Sequence, residues 1–226
     1  GKPSAALIQN PWEEGALAGA AEWPEPVMLV GAGLTAVDMV LSLRARGYQG
    51  NIIATSRGGK WPMAHAASSA ACILNEHELT AQKTPTHMLK LLRTKIAALG
   101  EWRPVIDALR PHTQKLWKAW PLAEQQHFIA RLLSRWNIHR HRMAPEIAAV
   151  IVKETMAGTL TLYACKKMDF AVAENSITVT LQTNGEIQTL TPSRILNCTG
   201  GELQLVRSAN PLLKQALADH VIEPHA

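Results

Sequence analysis

Val27-Met28-Leu29-Val30 is a short, unbroken apolar run closed by Gly31, the pattern of a strand buried on both faces. Apolar positions at helical spacing follow at Val37, Val40, Leu41 and Leu43. They predict a helix that starts near Leu34 and stops at Gly47. Residues 51–55 then read as a second strand, which completes a β-turn-α-β unit of the length expected for a right-handed crossover.

Past Gly58 the pattern turns helical, and five of the seven tryptophans fall there: Trp61, Trp102, Trp117, Trp120 and Trp136. Thr84-Pro85 predicts an N-cap with proline at the first helical position, opening a helix through Leu99 that Gly100 ends. Two more helices are expected, over residues 104–117 with an interruption at Pro111, and over residues 121–136 with Phe128, Leu132 and Leu133 on one face. Tryptophans at such spacing read as packing between helices rather than as a substrate box. Beyond Pro145 the alternation resumes, with a helix over residues 146–156, a stop at Gly158 and a strand at residues 160–164. Residues 168–173, 177–182 and 186–190 predict an antiparallel β-meander, its last two strands joined by a turn at Asn184-Gly185. A final apolar strand, residues 194–198, runs into Thr199-Gly200-Gly201, where the chain must turn sharply.

These elements predict an α/β fold: a Rossmann-like nucleotide-binding domain with a parallel sheet, a β-meander and a helical insertion. The boundaries expected are an extended, proline-containing lead-in at residues 1–26, the nucleotide-binding domain at 27–200 with its insertion at about 58–143, and a C-terminal segment at 201–226. At 47% hydrophobic composition the chain can bury a substantial core. It lacks the run of about 18 apolar residues that a membrane span requires. The net charge of +5 suits an anionic ligand, but the basic residues are dispersed, which argues against nucleic acid. Cys72, Cys165 and Cys198 show no CxxC spacing, so neither a disulfide framework, a zinc cluster nor a redox dithiol is expected, and a reducing cytoplasm fits best.

Gly31-Ala32-Gly33-Leu34-Thr35-Ala36 carries the chemistry, because it matches GxGxxG/A between a predicted strand and a predicted helix. Gly31 permits the tight turn, Gly33 lets the backbone approach a pyrophosphate, and the small Ala36 lets helix and strand pack closely. The helix N-terminus, at Leu34 and Thr35, offers free N–H groups and a positive dipole end. The alternative is a tight turn that binds nothing. Where NAD-preferring domains place a carboxylate on the ribose, this chain runs into Thr55-Ser56-Arg57. Arg57 can pair with a 2′-phosphate and Ser56 can add a hydroxyl donor, so NADP is expected ahead of NAD, the alternative being an arginine on a solvated loop.

His139-Arg140-His141-Arg142 is the densest polar cluster. Its arginines repel a cation and no carboxylate or cysteine ligand is near, so it reads as an anion-facing loop or a solvated basic turn, with no metal. Asp38 reads as a dipole-complementing or hydrogen-bonded residue of the first helix, and no catalytic residue can be assigned from spacing.

Residues 29–38, Ser56-Arg57-Gly58, residues 139–145 and Asn197-Cys198-Thr199-Gly200 together resemble a bacterial family of FAD/NAD(P)-binding proteins, over most of the chain. More broadly, the order of elements looks like the pyridine-nucleotide domain of glutathione-reductase-like flavoproteins and flavin monooxygenases. The resemblance implies that Thr199-Gly200 marks the return to an FAD domain. It also implies a second glycine fingerprint, with an acid for the FAD ribose, and these 226 residues contain neither. The chain is therefore expected to be a fragment that holds FAD weakly or not at all, the FAD-binding half of the same protein being its partner beside a nicotinamide nucleotide and a small-molecule substrate. The expected function is the NAD(P)H-binding part of a FAD-dependent oxidoreductase, and the alternative is a nucleotide-binding regulatory module without turnover.

Overall fold

Five parallel strands form the larger sheet, in the order β1-β8-β2-β3-β4, where β1 is Leu7–Ile8, β2 Val27–Val30, β3 Ile52–Ser56, β4 Leu160–Ala164 and β8 Arg194–Asn197. This is a computed structural model, and it describes residues 6–68, 70–173, 176–183, 185–200 and 210–222. The chain divides into two units, residues 1–66 with 137–200 and residues 67–136 with 201–226.

In the first unit the alternation of side chains along β2 sorts the core. Val27 and Leu29 point to a face covered by helix α1 (Leu34–Ala45) and α8 (Pro145–Met156), and they pack with Val37, Val40, Leu43 and Ile151. Met28 points to the other face and packs with Ile195 against Ile177, Val179 and Leu181. Those last three belong to the middle strand of a separate antiparallel sheet, β5 (Lys167–Val172), β6 (Ile177–Gln182) and β7 (Ile187–Leu190), in that order. β2 is thus apolar throughout because it is covered on both sides, as its sequence predicts. The fold is an α/β Rossmann-like domain with a parallel sheet and a β-meander. Asn184 of the predicted hairpin turn lies outside the described residues, and Gly185 in that turn has φ 100°.

The N-terminal segment departs from the extended lead-in expected of its prolines. Leu7 and Ile8 pair in parallel with Ile195 and Leu196, a 3₁₀ turn spans Ala20–Glu22, and Leu17 and Ala20 are buried in the core. At the N-terminal end of the sheet, Arg44 ties the crossover together. Its guanidinium bonds the Glu154 carboxylate at 2.9 Å and the carbonyls of Tyr48 and Gly50 at 2.8 and 2.9 Å.

The second unit is helical: α2 (Glu76–Thr80), α3 (Pro85–Leu99), α4 (Arg103–Leu109), α5 (Thr113–Ala119), α6 (Leu122–Arg131) and α9 (Pro211–Ala218), with α7 (Leu133–Arg140) running out of it. Thr84 caps α3 through the amide of His87 and Gly100 ends it at φ 74°, as the sequence predicts. Pro111 splits the next predicted helix into α4, a 3₁₀ turn and α5. The single helix expected over residues 121–136 is instead two, interrupted at Leu132, whose φ of −116° departs from regular helix geometry while staying in the right-handed region. Leu79, Met88, Leu92, Val105, Leu109 and Leu116 form the core of this unit. Trp117, Trp120 and Phe128 pack ring on ring at 5.9 to 6.5 Å between centroids, so these tryptophans serve helix packing.

Candidate functional site

Because all five strands of the larger sheet run parallel, their C-terminal ends share one edge. The chain leaves β2 through α1 to β3 on one side, while β8 lies on the other. The strand order therefore reverses between β2 and β8, the position at which open α/β sheets form a ligand crevice. Gly31, Ala32, Gly33, Leu34 and Thr35 follow β2 at that point, Ser56 and Arg57 end β3 beside it, and Thr199 and Gly200 follow β8. The topology brings every sequence-predicted site residue to one edge.

The two glycines of the turn do different work. Gly31 has φ 114°, and a Cβ there would lie 2.5 Å from the carbonyl oxygen of Cys198. Strand β8 passes so close that only glycine fits, whatever binds. Gly33, with φ −83° and ψ −170°, is in extended backbone that any residue adopts, and a Cβ on it would meet nothing within 4 Å. Packing gives no reason for glycine there, and the open space lies in front of the N-terminus of α1. Ala36 is fully buried beneath it, which is where a small residue lets helix and strand approach.

That N-terminus has no side-chain cap. The Gly33 carbonyl accepts from Ala36 N and Val37 N at 3.0 and 3.2 Å, whereas the amides of Leu34 and Thr35 have no acceptor among the described residues. Two N–H groups and the positive end of a three-turn helix thus face the open side of Gly33, an arrangement suited to a phosphate. Asp38, one turn in, is exposed, and its side chain makes no hydrogen bond among the described residues. Partial burial of its carboxyl raises its pKa above the ordinary aspartate value.

At the end of β3 the Ser56 hydroxyl accepts from Gly59 N at 3.1 Å, and Ser56 O accepts from Cys165 N at 2.9 Å. Gly59 has φ 56° and sits so close to Ala164 that a Cβ would fall 2.6 Å from that side chain. This seats the turn on the end of β4 and leaves Arg57 exposed, with no hydrogen bond or ion pair among the described residues.

Beyond β8, Asn197 Oδ1 accepts from both Thr199 N (3.2 Å) and Thr199 Oγ1 (2.7 Å). The Asn197 amide in turn donates to Gln9 Oε1 at 3.2 Å. Asn197 and Gln9 therefore fix the Thr199 turn, a role the sequence did not disclose because Gln9 reaches this edge only through the β1–β8 pairing. Thr199 and Gly200 are exposed, and Gly201 lies outside the described residues. Cys198 is buried, and desolvation pushes its thiol up to about 12, so it is not a nucleophile at neutral pH.

The His139–Arg142 segment is not the loop its sequence suggests. His139 and Arg140 form the last turn of α7, because helical hydrogen bonding carries through to His141 N, which donates to Asn137 O at 2.9 Å. The segment is stitched to residues 63–65 by Met63 N to Ile138 O, Met143 N to Met63 O and His65 N to Met143 O, at 2.7 to 2.9 Å. Arg142 Nε donates to His139 O at 2.9 Å and its Nη1 donates to His65 Nδ1 at 3.3 Å. His65 is a member of this cluster that local sequence could not identify. Among the described residues no group of three metal-ligating side chains comes together, and no helix is long and apolar enough to cross a membrane.

Comparison with protein-family models and with curated proteins gave no match. Comparison with solved structures gave similar folds. The reduced form of ornithine hydroxylase PvdA from Pseudomonas aeruginosa is 14% identical with a TM-score of 0.51, over 96% of this chain and 44% of that one. L-lysine 6-monooxygenase from Pseudomonas syringae is 15% identical with a TM-score of 0.50, over 95% of this chain and 44% of that one. The chain spans less than half the length of these structures.

Proposed function

We propose that this chain is the NAD(P)H-binding part of a FAD-dependent oxidoreductase. The observation that carries the reading is the contrast at the glycine turn. Gly33 is unnecessary for packing, yet its open side lies at the amides of Leu34 and Thr35, which have no acceptor among the described residues, at the strand-order reversal. A dinucleotide pyrophosphate fits that description: it needs close backbone approach, N–H donors and a helix N-terminus.

In this reading Gly31, Ala32 and Gly33 form the cradle, and Leu34 and Thr35 donate to the pyrophosphate. Ser56 and Arg57 take the adenosine ribose with its 2′-phosphate, which favours NADP over NAD. Thr199 and Gly200 form one wall beside a flavin bound mainly outside these 226 residues. Bound there, the nicotinamide nucleotide would be the hydride donor and FAD the acceptor. The protein's own share is to bind and orient, which needs no catalytic triad. The similar folds support the architecture, and their greater length is consistent with a flavin site elsewhere in a longer protein. One exposed turn does not enclose a cofactor, so the chain alone should retain little or no FAD after reconstitution and desalting.

The test is calorimetric titration of the chain with NADP+ and NAD+, beside Gly33→Val. Binding by the parent that the substitution abolishes supports the reading. Equal binding by both removes the site.

A further inference from the structure

The register of the larger sheet sets two strand ends on opposite sides of the glycine turn. Val30, the last residue of β2, is level with Thr55 of β3 and with Asn197 of β8, each neighbouring strand about 4.8 Å away. Ser56-Arg57 and Cys198-Thr199 therefore flank Gly31. On the β8 side the approach is a contact, since Thr199 N would stand 3.1 Å from a Cβ on Gly31. Leu34, whose amide is assigned to the pyrophosphate, is three residues from Gly31 and so no more than about 11 Å away. A dinucleotide with its pyrophosphate over this turn and its adenosine half toward Arg57 lays its nicotinamide half over Thr199.

The hydrogen bonds at that corner fix its polarity. Thr199 N can only donate, so the side-chain atom of Asn197 that faces it is the amide oxygen. The Thr199 hydroxyl meets the same oxygen at 2.7 Å and must place its proton there as well. The Asn197 amide nitrogen is then turned to Gln9, which presents Oε1 at 3.2 Å. With its proton committed, Thr199 Oγ1 offers only lone pairs to a group arriving at this exposed residue. The glycine turn has the opposite character, because the amides of Leu34 and Thr35 offer only protons. A phosphate suits the amides and does not suit the hydroxyl. The ligand that satisfies both carries a phosphate followed, on the β8 side, by an O–H or N–H group.

Resting on the nucleotide reading above, we propose that Thr199 Oγ1 accepts a hydrogen bond from an O–H or N–H group of the nicotinamide half, with Asn197 and Gln9 as positioning residues that hold its proton away from the ligand. The ribose hydroxyls and the carboxamide of that half are both donors. An oxygen held in one orientation before binding loses little freedom when a donor meets it.

The experiment titrates the 226-residue chain with NADP+, with 2′,5′-ADP, which is the phosphorylated adenosine half alone, and with the 3-acetylpyridine analogue of NADP+, which lacks the carboxamide N–H. The parent should bind NADP+ more tightly than 2′,5′-ADP. Thr199→Val should lose about fivefold for NADP+ and less than about twofold for 2′,5′-ADP, while Thr199→Ser keeps the parent's values. Gln9→Leu should lose about threefold for NADP+ alone, and a merely structural role would not separate the two ligands. Circular dichroism verifies folding, and should Thr199→Val not fold, Gln9→Leu, at an exposed residue outside the turn, carries the test. An analogue that the parent binds as it binds NADP+, and that Thr199→Val weakens equally, supports the proposal with a ribose hydroxyl as donor. An analogue bound weakly by the parent and indifferent to Thr199→Val supports it with the carboxamide. A folded Thr199→Val that binds NADP+ as the parent does, or that weakens NADP+ and 2′,5′-ADP equally, overturns the proposal, as does a parent that binds NADP+ no more tightly than 2′,5′-ADP. If the parent binds nucleotide, Gly33→Val abolishes it and Thr199→Val changes nothing, only the Thr199 assignment falls. If the parent binds neither NADP+ nor 2′,5′-ADP, the nucleotide reading falls and this one with it.

Discussion

Gly31 and Cys198 meet backbone against backbone: a Cβ on Gly31 would stand 2.5 Å from the Cys198 carbonyl oxygen, while two residues along a Cβ on Gly33 would touch nothing. The fingerprint therefore separates into a glycine that packing requires and a glycine that packing does not require, the second being the one the proposed site uses. Gly31→Ala must push a carbonyl of the central sheet and also hold an alanine at φ 114°, at a cost of about 2 to 4 kcal/mol. Gly33→Ala should change stability by less than about 1 kcal/mol, since its backbone is already extended. Denaturant melts should show this split, and nucleotide titration should show the opposite one, with affinity lost in folded Gly33→Ala.

Arg57 should set the preference between nucleotides through charge alone, because it is exposed and makes no hydrogen bond or ion pair among the described residues. Arg57→Gln is expected to weaken NADP+ by about tenfold at low ionic strength and to leave NAD+ unchanged. An exposed ion pair is screened within about 10 Å at 0.1 M salt, so the preference of the parent should shrink as salt rises. Titrations at two ionic strengths measure both effects, and a preference indifferent to salt would exclude this role for Arg57.

Local pattern reached the crossover, the capped helix α3, strand β4 and the central meander strand because each is marked by adjacent residues: a doubly buried apolar run, Thr84-Pro85 before a helix, Gly100 and Gly158 after one. Long-range pairing hid the rest. A two-residue strand such as Leu7–Ile8 has no period to detect, and its partner β8 lies near the other end of the chain. The break at Leu132 replaced a helix that looked continuous, since no proline or glycine marks it. The candidate site was legible where it is a motif, at Gly31 to Thr35, and illegible where it is a meeting of distant segments. Gly31's constraint comes from Cys198 at the end of β8, and Thr199's orientation from Asn197 and Gln9.

Gln125, 3% exposed, donates its amide to the carbonyls of Trp117 and Trp120 at 2.8 and 3.0 Å, and so caps the C-terminus of α5, while its buried Oε1 has no partner among the described residues. Gln125→Met forfeits two hydrogen bonds but relieves the unpaired oxygen, so a loss of about 1 to 2 kcal/mol is expected. Gln125→Glu should lose more at neutral pH, about 3 kcal/mol or above, since a carboxylate would face two carbonyls at the negative end of a helix. Thermal melts at pH 7 should rank the glutamate variant below the methionine one, and the reverse order would show that Gln125 does not act as a donor.

Glu154 and Arg44 should govern how the first unit responds to acid. Burial by itself would raise the Glu154 carboxyl, but hydrogen bonds from Arg44 and Thr159, together with the charges of Arg44 and Lys153, outweigh it and hold the group below the ordinary value of 4.5. A carboxyl depressed on folding binds fewer protons in the folded than in the unfolded state. Its contribution is therefore complete above pH 4.5 and is lost as pH falls from there through the folded pKa. Glu154→Gln keeps a hydrogen-bonding shape and removes the titration, so its stability should be lower at pH 7 by about 1 to 3 kcal/mol and should fall less steeply below pH 4.5. Arg44→Met is the harsher change, because it strands the carbonyls of Tyr48 and Gly50 as well as the carboxylate, at a cost of about 3 to 5 kcal/mol. With Arg44 gone, burial acts on Glu154 unopposed by its chief partner, so protonation becomes less costly and the acid limb should flatten in that variant too. Urea melts from pH 3 to 7 on the parent and both variants test the pair, and an acid limb equally steep in all three would mean that other carboxylates carry the pH dependence.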